Sequence, residues 1–141
     1  LMVIGDGPER KNLIWLSEKI GIDNLVWFVG FQAYLGKWLE DSNVFIATRQ
    51  TADLAGLQAA LESAYARVPI IAADGQGLED IVQNGQNGLL LEKPDSELLA
   101  QAIIQLQQDT SLRRRLGQSA RETIGSRFTL AQTVDRLEAI M

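Results

Sequence analysis

Along the chain, short apolar runs alternate with stretches in which apolar residues recur every three or four positions. Leu1-Met2-Val3-Ile4 is a strand-like run that stops at Gly5-Asp6-Gly7-Pro8. Over residues 9–20, Leu13, Leu16 and Ile20 fall at helical spacing and define the face expected to pack inward, with Gly21 ending the segment. Further strands are expected at 25–29, 44–47, 69–72 and 89–91, each a compact apolar run beside glycine, proline or polar breakers. Helices are expected at 34–40 and 56–66, and from a cap at Asp95 or Ser96 to 107. A short helix is expected at 78–82, and two more at 111–124 and 130–140. Strands alternating with helices of this length imply crossover connections and a parallel sheet. Strands that are apolar on both faces suit burial under helices on either side. The expected fold is a doubly wound α/β domain with helices at its C-terminal end. Such sheets bind ligands beyond the carboxyl ends of their strands. The loops that start at Gly5, Gly30, Thr48, Asp74 and Glu92 are therefore the ones to watch.

Composition narrows the chemistry. The 141 residues are 46% hydrophobic and 22% charged, ordinary values for one globular domain with a real core. A net charge of −5 without a basic patch argues against nucleic acid as a partner, because phosphate backbones need clustered Lys and Arg. A small phosphorylated ligand stays open, since backbone N–H groups at helix starts bind anions without net positive charge. The chain has no cysteine, hence no disulfide framework or thiolate chemistry. It has no histidine either, which removes the commonest general base and transition-metal ligand. No apolar run approaches the roughly 18 residues of a membrane-spanning helix, and the opening residues lack a signal-peptide pattern. Because Met2 follows Leu1, we expect the chain to be a piece of a longer one.

Two segments carry candidate chemistry. Gly5-Asp6-Gly7-Pro8 follows a strand and opens a helix, where glycine allows a sharp turn close to a ligand; a plain strand-to-helix loop is the alternative. The segment is not the dinucleotide fingerprint, whose third glycine would fall on Arg10. Glu62 sits inside an otherwise apolar helix, a costly place for a carboxylate unless it is paired or points into a polar cleft. A carboxylate there can accept two hydrogen bonds from the vicinal hydroxyls of a ribose; a plain surface glutamate is the alternative. The helix start near Gly56 can receive a diphosphate through its N–H groups and dipole. Asp74-Gly75-Gln76-Gly77, leading into Glu79-Asp80-Ile81, suits a hydroxyl-rich ligand but is also common turn chemistry. Asn84-Gly85 and Asn87-Gly88 read as turns, and Arg113-Arg114-Arg115 as a solvated helix face with Leu112 and Leu116 inward. Trp15, Trp27 and Trp38 read as core or edge packing rather than a base-stacking platform.

Taken in order, several stretches resemble the C-terminal domain of group-1 (family 4) retaining glycosyltransferases with two Rossmann-like domains, the GT-B architecture. They are Val3-Ile-Gly-Asp-Gly-Pro8, Val26-Trp-Phe-Val-Gly30, Ser42-Asn-Val-Phe-Ile46, Leu61-Glu-Ser-Ala-Tyr-Ala66 and Val68-Pro-Ile-Ile-Ala72. Asp80-Ile-Val-Gln-Asn-Gly-Gln-Asn-Gly-Leu89, Asp109-Thr-Ser-Leu-Arg-Arg-Arg-Leu-Gly117 and Arg127-Phe128 continue the series, so the resemblance covers nearly the whole chain. It implies a Rossmann-like donor-binding domain over residues 1–141 that lacks its first strand-helix unit and the N-terminal acceptor domain. Two glutamates eight positions apart hold the donor in that family; the second maps onto Glu62, and the first onto Leu54. Asp53, one residue away, is the candidate for contact with the transferred sugar. The resemblance implies donor contacts from Gly5, Gly7, Gly30, Gly56, Leu57 and Glu62.

The chain departs from the family pattern at several points. Leu54-Ala-Gly-Leu57 stands where Gly-Phe-Gly follows the first glutamate, and Arg67 where a glycine precedes the proline by two. Gln76-Gly77 replaces a Gly-Gly pair, and Asp80 replaces a glutamate. The implied function is the donor-binding part of a retaining glycosyltransferase that uses a nucleotide-diphospho-sugar, with no metal or other cofactor, and inactive as this fragment. A non-catalytic interaction module and a nucleotide-sugar epimerase of the same architecture are the alternatives. Expected partners are the nucleotide-sugar donor and the acceptor-binding domain, without nucleic acid. The expected location is cytoplasmic, with at most peripheral attachment at the inner face of the membrane.

Overall fold

A computed structural model of the chain describes residues 1–47, 54–73 and 77–128. The chain divides into two compact units, Leu1–Leu35 and Gly36–Met141. Both are built from parallel strands and helices, the α/β class that the alternating pattern implies.

The first unit contains β1 (Met2–Ile4), α1 (Arg10–Lys19), a 3-10 turn (Asp23–Leu25) and β2 (Trp27–Gly30). The strands run parallel, pairing Met2 with Trp27 and Val3 with Phe28, and the register slips so that Ile4 faces Gly30. Helix α1 forms where the spacing predicts it, but a different face is covered. Leu13, Leu16 and Ile20 are exposed, whereas Ser17 is buried and Arg10 and Ile14 are half-buried. Ser17 tolerates burial because its hydroxyl donates to the Ile14 carbonyl at 2.7 Å. Arg10 donates from Nη2 to the Phe28 carbonyl at 3.4 Å, which ties this stripe to β2. Trp15 and Trp27 are each 58% exposed, so neither is a core residue.

The second unit contains α2 (Gly36–Glu40), β3 (Phe45–Ile46), α3 (Leu54–Tyr65), β4 (Ile70–Ala73), β5 (Gly88–Leu91), α4 (Ser96–Gln108) and α5 (Thr110–Arg127). Its strands lie in the order β3-β4-β5, all parallel. All four residues of β4 are buried, as a central parallel strand requires. Alternation along β4 sends successive side chains to opposite faces. Ile70 and Ala72 join Ala60, Ala64, Leu78, Ile81, Val82 and Ala120 in one core cluster. Ile71 joins Ala102, Leu106 and Leu116 in another. Both faces of this sheet are therefore covered by helices, and α5 contributes to both cores through Ala120 and Leu116.

Local polar chemistry fixes the connections. Asp95 caps α4, its Oδ1 accepting from the N–H groups of Glu97 and Leu98 at 2.9 and 3.1 Å. Asp109 caps α5, its Oδ1 accepting from Leu112 N–H at 2.8 Å and from the Ser111 hydroxyl at 2.6 Å. The backbone N–H bonds, with the neighbouring lysine and serine, hold both carboxyls below their ordinary value of 3.8. The helix expected at 78–82 is a single turn, with Leu78, Ile81 and Val82 buried. Asn87 ends it: its Oδ1 takes the Gln83 N–H at 2.7 Å, and its Nδ2 donates to the Ile81 carbonyl at 2.8 Å and Thr123 Oγ1 at 3.2 Å. What reads as a simple turn residue is thus a buried polar staple. The arginine run on α5 is likewise not a purely solvated face. Arg113 donates to the Leu106 carbonyl at 2.9 Å and Arg115 to the Gly85 carbonyl at 3.3 Å, while Arg114 is exposed. Leu116 is fully buried and Leu112 packs against the core around it, as expected.

Helix α3 ends in a left-handed cap. Arg67 has φ +63°, Val68 N–H reaches back to the Ser63 carbonyl at 3.0 Å, and the Ser63 hydroxyl donates to the Val68 carbonyl at 3.0 Å. Glycine is the usual residue in this conformation because it lacks a Cβ. Here an arginine holds it, and the contact with α5 shows what fixes the turn. Gly117 lies so close to the Arg67 peptide that a Cβ at 117 would sit 2.0 Å from its carbonyl oxygen. Among the described residues no helix is long and apolar enough to cross a membrane. The helix expected at 130–140 lies outside the described residues.

Candidate functional site

In the second unit the carboxyl ends of β3, β4 and β5 open onto a cleft of about 170 Å³. Ala47, Ala73 and Leu91 mark the strand ends, and Pro94, Asp95 and Ser96 close the cleft at the start of α4. The side chains at 47, 72 and 73 are small, at the strand ends where a parallel sheet places its ligands. The Asp95 carboxylate already takes two N–H groups at the start of α4. That helix end is thereby committed to its own cap and is not a free anion seat.

Helix α3 carries three of the sequence-predicted residues. Gly56 and Leu57 lie in its first turn, directly after residues 48–53, which are outside the described residues and include Asp53. Leu57 turns its side chain to the core around Ala60 and Ile70, so any ligand contact from it belongs to its backbone. Glu62 is half-buried and stands two turns into the helix. Gln58 Nε2 donates to its Oε1 at 2.8 Å, and its other oxygen receives no hydrogen bond within the described structure. It lines an open hollow of about 560 Å³ together with Gly36, Glu40, Tyr65, Arg121 and Phe128. Arg121 is held there by a 2.7 Å hydrogen bond to the Tyr65 carbonyl and lies 4.3 Å from the centre of the Tyr65 ring. Sequence reasoning did not find Tyr65 and Arg121. They are 56 positions apart, and only the packing of α3 on α5 makes them neighbours.

In the first unit, Gly5 and Gly30 meet. The Gly5 N–H donates to the Gly30 carbonyl at 2.8 Å, just where β1 and β2 end. Both have positive φ, +131° and +80°, so at each the chain turns in a way a side chain would oppose. Gly7 is exposed in the following turn, its N–H held by Asp6 Oδ1 at 2.8 Å. The predicted residues thus fall into three places: the Gly5–Gly30 clasp with Gly7, the first turn of α3, and the hollow beside Glu62. The structure does not put Glu62 in the lining of the cleft at the ends of β3, β4 and β5. Residues 74–76, the loop after β4, lie outside the described residues, so the hydroxyl-binding role considered for Asp74 does not enter this geometry.

Parallel strands, helices on both faces of the larger sheet and a cleft at the strand ends define a Rossmann-like α/β fold. The model of the glycosyl transferases group 1 family matches residues 1–123, and the chain belongs to that family. It is 32% identical over 135 residues to the lipopolysaccharide core biosynthesis glycosyltransferase LpsE of Rhizobium meliloti, covering 96% of this chain and 39% of that protein. Among solved structures it is similar to HepE of Anabaena in complex with UDP, with a TM-score of 0.85 at 22% identity over 99% of this chain and 40% of HepE. It is also similar to the C-terminal domain of LpcC, a group 1 glycosyl transferase family protein of Francisella tularensis. There the TM-score is 0.75 at 22% identity over 86% of this chain and 63% of the other. The chain therefore spans well under half the length of LpsE and HepE.

Proposed function

We propose that this chain is the donor-binding lobe of a retaining glycosyltransferase that moves a sugar from a nucleotide-diphospho-sugar to an acceptor. In this reading both units serve one donor-binding domain, and a further domain of the longer enzyme binds the acceptor. The observation that carries it is Glu62: a half-buried carboxylate on an apolar helix, with one oxygen engaged by Gln58 and the other available beside an open hollow. Such a group is costly to keep there unless a ligand with vicinal hydroxyls, as on ribose, uses it. The UDP held by HepE, whose fold this chain shares, supports a nucleotide as that ligand. The first turn of α3, with Gly56 and Leu57, would offer N–H groups to the diphosphate.

Transfer breaks the bond between the anomeric carbon and the diphosphate oxygen and forms one to an acceptor oxygen on the same face, the acceptor's hydroxyl proton passing to the departing diphosphate. The leaving diphosphate is stabilised by helix N–H groups and by cationic side chains, so the reading calls for no metal. Because the acceptor is bound by a further domain in this reading, we expect little or no turnover by this chain alone. The reading also keeps the protein in the cytoplasm, where nucleotide sugars are used, with at most peripheral membrane attachment.

Calorimetric titration of UDP tests it. Glu62→Gln should weaken binding by about tenfold or more, the value of a hydrogen bond to a charged group. If no nucleoside diphosphate binds, the reading fails.

One observation favours a second reading. Leu54 opens α3 at the position where the resemblance places a sugar-contacting glutamate, which fits a lobe that has lost transfer and serves as an interaction module. Sugar turnover by the longer protein in a broad donor screen would remove that alternative.

A further inference from the structure

We propose that Asn84 is a site of spontaneous modification, where ring closure on Gly85 converts the asparagine to aspartate and isoaspartate. The fold shields Asn87-Gly88, the same dipeptide three residues later. The inference is independent of what the lobe binds. Asparagine before glycine suits this reaction because no side chain hinders the glycine nitrogen. The Gly85 nitrogen attacks Asn84 Cγ and a Cγ–N bond forms. The side-chain nitrogen leaves as ammonia, taking the proton that Gly85 gives up. Water then opens the cyclic imide. Cleavage of the new Cγ–N bond gives aspartate, and cleavage of the original main-chain bond gives isoaspartate.

The two pairs share a sequence but not a setting. Asn84 and Gly85 are exposed, and a Cβ on Gly85 would meet nothing within 4 Å, so the ring has room to close. Two surface hydrogen bonds hold the reacting groups. Asn84 Oδ1 accepts from Leu90 N–H at 3.0 Å, and Gly85 N–H donates to the Gly88 carbonyl at 2.8 Å. Exposed bonds of this kind open at a small fraction of the global unfolding free energy. Asn87 is 2% exposed, and its carboxamide is held at both ends. Its Oδ1 takes the Gln83 N–H, while Nδ2, the nitrogen that would have to leave, donates to both the Ile81 carbonyl and Thr123 Oγ1. Gly88 is pressed against β4, with the Ile70 carbonyl oxygen 2.7 Å from where its Cβ would stand. Ring closure at 87 therefore requires the staple to break and the start of β5 to lift from β4.

The two products differ in their effect on the loop. Aspartate at 84 keeps an acceptor for Leu90 N–H and adds a negative charge near Arg115, whose Nη1 lies 3.3 Å from the Gly85 carbonyl. Isoaspartate lengthens the main chain just before the bridge between Asn84 and Gly88, which loosens the entry to β5.

Peptide mapping by mass spectrometry tests this, after incubation of the chain in mildly alkaline buffer, folded and in urea. The exchange of ammonia for water is followed at each asparagine. In the folded chain Asn84 should convert, and Asn87 should lag it by about tenfold or more, as expected when buried hydrogen bonds must first break. In urea the staple is gone, and the two should convert within about twofold of each other. Equal rates at the two positions in the folded chain would overturn the proposal. So would a folded Asn84 that stays intact over a period that converts it fully in urea. A contrast that persists in urea would overturn it too, by placing the cause in the neighbouring sequence rather than in the fold.

Discussion

Gly117→Ala is a small perturbation with a large expected effect, and its sign is opposite to the usual one. Glycine to alanine inside a helix normally stabilises by up to about 1 kcal/mol, through propensity. At 117, however, the new Cβ would lie 2.0 Å from the Arg67 carbonyl oxygen and 2.8 Å from the carbonyl carbon. Ordinary contact therefore requires α5 and the Arg67 peptide to part by more than an ångström. Neither is free to do so. The Arg67 turn is closed by N–H bonds to the Ala64 and Ser63 carbonyls, both 3.0 Å, and by the Ser63 hydroxyl. On the other side α5 is anchored by fully buried Leu116, by Ala120, and by Arg121 bonded to the Tyr65 carbonyl. Overpacking against such a wall costs about 3 kcal/mol or more, and the propensity gain offsets about 1, leaving roughly 2 kcal/mol of net destabilisation. Urea unfolding followed by circular dichroism should show the midpoint lowered by about 1 M, with the slope unchanged. Gly125→Ala lies on the same helix with nothing near its would-be Cβ, and should be as stable as the wild type or more so. A Gly117→Ala midpoint equal to that of Gly125→Ala would refute the claim that this contact fixes the helix exit.

Asn87→Ala should cost roughly 2 kcal/mol, since it strands the buried Ile81 carbonyl and frees the part-buried Gln83 N–H; the same urea series measures it, and a loss under 1 kcal/mol would mean the staple is idle. Asp95 and Asp109 have carboxyls lowered by their bonds to backbone N–H groups, so their capping is complete above 3.8 and is lost as pH falls through the lowered values. Wild-type helicity should accordingly fall more below that pH than in an Asp95→Asn/Asp109→Asn double variant, and parallel curves for the two proteins would contradict this. The effect of Glu62→Gln on UDP affinity completes the set.

Much of the fold was legible because its signals are local. Apolar runs broken by glycine and proline marked the strands, and of the two candidate caps, Asp95 and Ser96, Asp95 caps the start of α4. The miss on α1 is instructive. Spacing of three and four identifies a helix, but Arg10-Ile14-Ser17 repeats with the same spacing as Leu13-Leu16-Ile20, and only the partner strand decides which stripe is covered. Arg115, Gly117 and, through Thr123, Asn87 share another reason for being misread or overlooked: each acts on a residue distant in sequence, so nothing beside it in the chain announces its role. For the candidate site, Glu62 was readable as a charge out of place on an apolar helix. Its neighbours Tyr65 and Arg121 were not, because they meet only in the folded chain.

Every fully buried apolar side chain belongs to the second unit; in the first, Ser17 alone is buried. The residue-by-residue distribution of stability follows from that. Regions with few buried contacts open at a small fraction of the global unfolding free energy. The clasp of Gly5 and Gly30 therefore belongs to the easily opened part of the molecule, while β4 opens only with the whole second unit. A ligand that binds only the closed first unit supplies free energy that this unit's own interior lacks, about 2.7 kcal/mol at a hundred times its dissociation constant. Occupancy and local order then rise together: such a ligand would serve as the missing core of the segment it binds.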